Sequence, residues 1–236
     1  MSVQRSLLPD LERGGVGVVL ASTWSVDTPE RQKAAVEAIT EAWESREWPH
    51  DGLLSYTVHT GTDGDTLLHY SQWRDLETYE AFSAAADGRD ARNADIDAAV
   101  PGIRRLGLGR YELYRGRSLN PKAEAEPGCI VIVDIPFKGP DPRRQRDWVD
   151  AVFDALDGDE PHPGAISAHF HASLDGTRVL NYAQWASEQA HIEALAAPGA
   201  GVGSGSDAWR RVQQHPGLAE GGSVKRYLPA VSLRQG

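Results

Sequence analysis

Two sets of side chains in this sequence could do chemistry together: His59, His69 and Trp73, and further along His171, Asn181 and Trp185. A base, an amide and an indole N–H on an otherwise apolar wall can hold an aromatic molecule and stabilise an oxyanion on it. Histidine, with an ordinary pKa of about 6.5, is suited to accepting a phenolic or benzylic proton. Each well-aimed donor on a developing oxyanion is worth about 3 to 4 kcal/mol in a dry pocket. Against this stands the plainer reading that a Trp ending a strand, or a single strand His, belongs to the core. Polar residues sharing a face with the Trp favour a site.

Strand alternation decides which side chains share that face. Val179, Asn181, Ala183 and Trp185 point one way, and Leu180, Tyr182 and Gln184 the other. The matching face of the earlier stretch carries Leu67, His69, Ser71 and Trp73. Hairpin register places the remaining histidines. A two-residue turn sets His171 opposite Leu180, away from Asn181; an odd loop with a G1 bulge sets it beside Val179 or Asn181. The odd loop is the expectation adopted, because it gathers His171, Asn181 and Trp185, and likewise His59, His69 and Trp73, on one wall.

These parallels arise from a duplication. Shifted by 112 residues, Gly52–Trp73 aligns without a gap on Gly164–Trp185, with nine identical pairs in 22 positions. The pairs include Gly52/Gly164, His59/His171, Asp63/Asp175, Gly64/Gly176, Tyr70/Tyr182 and Trp73/Trp185. Self-similarity of this kind sets the architecture before any local reading.

Each copy reads alike. In the first, Gly15–Trp24 is an apolar, β-branched strand. Thr28 and Pro29 open a helix with Ala35, Ile39, Ala42 and Trp43 on one stripe. Two strands meet at Asp63-Gly64, a helix follows over about 76–86, and a strand at 106–114 closes the unit. The second copy repeats the order: strand 129–135, helix 141–156, a hairpin on Asp175-Gly176, helix 188–196 and strand 224–230. The expected domains are 1–116 and 128–236, joined by a polar, Pro- and Gly-bearing linker at 117–127. The order β-α-β-β-α-β is the ferredoxin-like unit. Such a sheet has helices on one face only, so two tandem copies are expected to pack as an intramolecular dimeric α+β barrel.

Composition narrows the partners. The chain has 236 residues, with 24 Lys and Arg against 34 Asp and Glu, a net charge of -10. That field disfavours nucleic acid and anionic membrane surfaces. A single cysteine, Cys129, excludes an internal disulfide and Cys-based metal sites. No apolar run approaches the roughly 18 residues of a membrane span, and no secretory leader is seen. A cytoplasmic protein is the expectation.

Other patterns lead elsewhere. His169 and His171 put two imidazoles on one face, but no third ligand follows, so no metal is expected and His169 remains a candidate substrate contact. Gly199–Gly205 follows a helix and lacks a βαβ setting, which makes it a flexible loop or lid over the second pocket, not a dinucleotide loop. No G-x-S-x-G elbow occurs.

At Asn181–Trp185, preceded by His171 and Asp175-Gly176, and at the matching His69–Trp73, the chain resembles the antibiotic biosynthesis monooxygenase family. The resemblance covers both halves. It implies an oxygenase tailoring a polycyclic aromatic polyketide with O2 and no metal or tightly bound cofactor. The outcome would be a quinone from an anthrone or phenol, or ring cleavage, as in angucycline pathways, which draw on reduced flavin. Reduced FAD or FMN and a flavin reductase are therefore alternative partners. In anthrone-oxidising members a His, an Asn, a Trp and a helix Tyr line the pocket. The first copy keeps His59, Trp73 and Tyr79 but has His69 for Asn; the second keeps His171, Asn181 and Trp185 but has His191 for Tyr. Arg92 is the candidate for an Arg that closes the pocket in some members. Neither half holds the full set, so one pocket is expected to be active and the other structural.

Three rivals share the scaffold. A cofactorless cyclase or isomerase could use the same His and Asn without consuming oxygen. Haem degradation needs a proximal His on the second helix, where this chain has Ser83 and Leu195. A non-enzymatic ligand-binding protein is the third. Further association of pseudo-dimers into a homodimer is left open.

Overall fold

A computed structural model of the chain describes residues 3–120, 126–197 and 204–236. Its elements run β1 (Val3–Ser6), β2 (Val18–Ser25), α1 (Pro29–Glu44), β3 (Leu53–Gly61), β4 (Thr66–Trp73), α2 (Leu76–Ala84), α3 (Ala86–Ala99) and β5 (Arg104–Ser118). They continue with β6 (Cys129–Pro136), α4 (Pro142–Asp157), β7 (Ala165–Ser173), β8 (Arg178–Trp185), α5 (Glu188–Ala196), α6 (Asp207–Gln213) and β9 (Ser223–Gln235). This is α+β architecture, with the ferredoxin-like unit occurring twice. The expected lid falls at 199–205, of which 199–203 lie outside the described residues, as do 121–125 of the expected linker. No helix among the described residues is long and apolar enough to cross a membrane.

The chain divides into two compact units, one of Met1–Arg110 with Tyr227–Gly236 and one of Tyr111–Arg226. In the first, the strand order is β1-β9-β3-β4-β2-β5. All its registered pairings are antiparallel, and the tail of β9 lies along β3 from Tyr56↔Leu233 to Gly61↔Tyr227. In the second, the order is β5-β7-β8-β6, and β5 contributes Tyr111–Ser118. The strands that follow the last helix of each repeat are thus longer than the sequence suggests, and each serves both units.

Local chemistry explains the helices. Thr28 accepts the Arg31 N–H, and Pro29 sits in the first turn of α1, where its missing N–H costs nothing. Asp75, Asp141 and Ser187 cap α2, α4 and α5 in the same way. Ala35, Ile39, Ala42 and Trp43 are buried, as their spacing predicts. A buried glutamine ties each long helix to the hairpin beside it. Gln32 Nε2 donates to the Gly61 and Thr66 carbonyls at 3.0 and 2.9 Å, and Gln145 Nε2 donates to those of Ser173 and Arg178. Gly52 and Gly164 let the sheet approach α2 and α5: a Cβ on Gly52 would lie 1.8 Å from Thr78 Cγ2, and one on Gly164 2.5 Å from Ala190 Cβ.

The hairpin register departs from the expected odd loop. Strand β3 ends at Gly61 and β4 starts at Thr66, leaving an even loop, 62–65, with Gly64 at φ +75°. Its Asp63 carboxylate accepts the Asp65 and Thr66 N–H groups and the Thr66 hydroxyl, which closes the turn without a bulge. Asp175 does the same work with Thr177 and Ser173, and Gly176 also has φ +75°. Consequently His59 pairs with Leu68 and His171 with Leu180.

Candidate active site

The even loop splits each expected group of three. On the helix-covered side of the first unit, β4 presents Leu67, His69, Ser71 and Trp73. Their partners across β2 are Trp24, Ser22, Leu20 and Val18, and across β3 Val58 lies opposite His69 and Tyr56 opposite Ser71. His59 lies on the other face and is fully buried there. In the second unit, Asn181 and Trp185 share a face with Phe170, while His169 and His171 stand with Leu180 and Tyr182 on the reverse. The expectation that His59 and His171 join the Trp wall is therefore corrected.

A cavity of ≈ 550 Å³ opens between the first sheet and its helices, within the 300–1,000 Å³ typical of small-molecule sites. Trp24, Trp43, Trp73, Tyr79 and Phe82 supply its aromatic wall, His69, Tyr56 and Ser71 its polar spots, and Arg92, Arg105 and Asp90 its charges. Of the residues expected from sequence, it gathers His69, Trp73, Tyr79 and Arg92.

The wall is built from interlocking rings. Trp43 stacks on Tyr56, centroids 4.2 Å apart and planes 16° apart. Trp24 lies 4.0 Å from the His69 ring, and Tyr79 meets Trp73 edge-on at 5.4 Å. The Trp73 indole N–H donates to Ser71 Oγ at 3.0 Å, so it is engaged within the wall. Tyr56 Oη and His69 Nδ1 are 2.6 Å apart. His69 Nε2 is buried and has no hydrogen-bond partner among the described residues, a state that costs about 1–3 kcal/mol.

Helix α3, which the sequence reading lacked, delivers Arg92, Asn93 and Ile96 to the cavity. Arg92 is only 4% exposed, donates to the Glu47 carbonyl at 2.6 Å and lies 5.0 Å from the Trp43 ring centroid. Arg105 covers Trp24 at 4.5 Å and pairs with Asp97.

Electrostatics change the role expected of His69. Burial holds its pKa down at about 3, and the charge of Arg105 and the proximity of His59 push the same way. It is a neutral imidazole at pH 7, not a base near its ordinary value. Burial pushes the Tyr56 phenol up, opposed by Arg105, so its proton stays on. The charge available to an ionised ligand oxygen comes from guanidinium groups.

The second unit differs at the same places. Ala168 stands where the first has Tyr56, Asn181 for His69 and Ala183 for Ser71. Trp148, Phe153, Phe170 and Trp209 are packed together in the core there. A cavity of ≈ 390 Å³ reaches Trp185 but not Asn181, His171 or His191, and its rim carries Asp157, Asp159 and Glu160. His191 sits 4.9 Å from Trp185, accepts a hydrogen bond from Arg226 and is held near pKa 4 by burial and that arginine. His171 Nδ1 faces the His169 carbonyl at 3.0 Å. No three His, Cys, Asp or Glu side chains among the described residues are grouped as a metal site.

Tyr56, Trp24, Trp43 and Phe82 are the aromatic wall residues that sequence reasoning missed as site members. The apolar run of β2 and the stripe of α1 marked the two tryptophans, though as core. His50 and His162, also 112 apart, are a further repeat: each accepts the N–H of the following glycine, Gly52 or Gly164, and lies near Trp73 or Trp185.

Residues 23–94 match the model of the antibiotic biosynthesis monooxygenase family, a stretch that holds most of the cavity wall. The first unit therefore carries a domain of that family. A tetracenomycin-F1 monooxygenase of Streptomyces glaucescens is 45% identical over 63 residues, which are 26% of this chain and 54% of that protein. The match thus spans about half the length of that relative. The crystal structure of an anthrone oxidase-like protein superposes with a TM-score of 0.72 at 20% identity, covering 95% of this chain and 94% of the other, a likeness of fold. A Streptomyces coelicolor monooxygenase solved with nanaomycin D is 30% identical, covering 44% of this chain and 88% of that one, but superposes only at TM-score 0.35.

Proposed function

We propose that this chain is an oxygenase that oxidises a phenolic polycycle, an anthrone or phenol of an aromatic polyketide, to a quinone with O2, in the first unit. The observation that carries the reading is the cavity itself: a space of ≈ 550 Å³ walled by three tryptophans, with a buried imidazole and two guanidinium groups at its polar spots. The Streptomyces glaucescens relative, a tetracenomycin-F1 monooxygenase, points the same way.

The chemistry balances without another reductant. The substrate phenol loses its proton to solvent, and Arg92 and Arg105 favour the resulting anion in a site of low dielectric. The electron-rich ring carbon passes electrons to O2 and forms a C–O bond, giving a hydroperoxide. Loss of water from that hydroperoxide leaves the new C=O, so one oxygen atom enters the product and the other leaves as water. Rearrangement of the same peroxide would instead break a ring C–C bond. Trp24, Trp43, Trp73 and Tyr79 align the ring and exclude water. Reduced FAD or FMN, and a reductase to supply it, enter only for a substrate already too oxidised to give up these electrons.

Turnover of an anthrone under argon and under 18O2 tests the reading. Expected are no product under argon and one labelled oxygen in the quinone. Undiminished turnover without O2, with product mass unchanged or lower by water, would identify a cyclase or isomerase instead.

A further inference from the structure

The pairing of Tyr56 with His69 fixes more than a distance. Each makes one side-chain hydrogen bond, to the other, across 2.6 Å. The Tyr56 hydroxyl proton then has a single acceptor, Nδ1, because the phenol keeps its proton and no other partner stands within reach among the described residues. With Nδ1 accepting and the ring neutral, the imidazole proton must sit on Nε2. Nε2 is the atom left buried without a partner, on a side chain that lines the cavity. Both rings are held in place, Tyr56 by the stacked Trp43 and His69 by Trp24.

The second unit supports the same logic. Where His69 is replaced by Asn181, Tyr56 is replaced by Ala168. An amide carries a permanent N–H and needs no neighbour to place it, whereas an imidazole becomes a defined donor only when its other nitrogen is occupied.

We propose that Tyr56 is a positioning residue that holds His69 in the Nε2–H form, so that His69 offers a hydrogen-bond donor, not a base, to a carbonyl or phenolate oxygen of a flat phenolic or quinonoid ligand. This rests on the oxygenase reading only for the class of ligand. The donor stabilises negative charge on that oxygen as it develops, while the proton lost by the substrate goes elsewhere.

The test needs no turnover. Long-range 1H–15N spectra of histidine-labelled protein report which His69 nitrogen is protonated, and quenching of tryptophan fluorescence by 1,8-dihydroxyanthraquinone reports binding. Expected are an Nε2–H form in the native chain, a mixture of forms in Tyr56→Phe, and roughly tenfold weaker binding in that variant. His69→Asn should bind the probe within about threefold of the native chain, and adding Tyr56→Phe to it should change little. An Nδ1–H form in the native chain overturns the proposal. So does an equal loss from Tyr56→Phe in the His69→Asn background, or no saturable binding of the probe to the native chain. Retained binding with no oxygen uptake would reject the oxygenase reading and leave this one standing.

Discussion

His59 and His69 occupy the same hairpin yet face opposite sides of the sheet, His59 paired with Leu68 and His69 with Val58. Only His69 borders the cavity. His59 and His171 stand in equivalent places in the two units, each about 1% exposed or less. Neither lines the cavity at Trp73 or the one at Trp185, and replacing either with Gln should leave the KM for an anthrone within about twofold while lowering the urea midpoint. A hundredfold fall in kcat for His59→Gln would return that residue to the site.

Acid should destabilise the fold. His59 and His69 titrate at about 3, and His171 and His191 at about 4, in each case first because burial disfavours the charged ring. Unfolded, they titrate near ~6.5, so below that pH the unfolded chain takes up protons that the folded chain refuses. The stabilisation is complete above the unfolded value and is lost as pH falls toward 4 and 3. Each group contributes a slope of up to about 1.4 kcal/mol per pH unit. Urea midpoints at pH 7.5 and 5 should differ markedly; a flat profile would contradict the burial of these rings.

The two equivalent tryptophans should separate in function. Trp73 lies against Tyr79 and Phe82 on the larger cavity, whereas Trp185 borders the smaller, acid-rimmed one. Trp73→Phe should lower kcat/KM about tenfold or more, a loss of about 1.4 kcal/mol of transition-state stabilisation, and Trp185→Phe should stay within about twofold. Equal losses from both would place chemistry in both units.

Arg92 should not tolerate Lys. Its planar group reaches the Glu47 carbonyl and covers Trp43 together, which an ammonium cannot reproduce. Arg92→Lys should raise the KM about tenfold and, in titrations of bound 1,8-dihydroxyanthraquinone, raise the pH at which the phenolate forms. An unchanged phenolate midpoint would show that Arg92 does not feel the ligand's charge.

Gln32 should matter to the fold alone. Replacement by Leu strips the Gly61 and Thr66 carbonyls of a buried donor, at a cost of about 1–3 kcal/mol, read as a lower urea midpoint with the KM unchanged. Gln145→Leu should behave alike in the second unit.

The duplication made the architecture legible, because residues identical between copies, such as Gly52/Gly164 and Gly64/Gly176, are those the backbone requires. The same signal misled about the site. His59 and His171 match because both fill equivalent buried places, while, apart from Trp73, much of the cavity wall lies where the copies disagree: Tyr56 against Ala168, His69 against Asn181, Ser71 against Ala183. Register was the deciding unknown. One residue of loop length turns a histidine to the opposite face, and the Asp63 and Asp175 side chains that set that length can close odd and even turns alike. Helix α3 was hidden by its composition: Asp87-Gly88 stands near its start and Ile96, buried against the core, is its one large apolar residue.

Strand β9 finishes its course along the outer edge of β3, beside Tyr56. Loss of Tyr227–Leu233, far from the cavity in sequence, would strip main-chain partners from the strand that carries the tyrosine. Damage to a strand so distant in sequence thus reaches the cavity by way of the backbone.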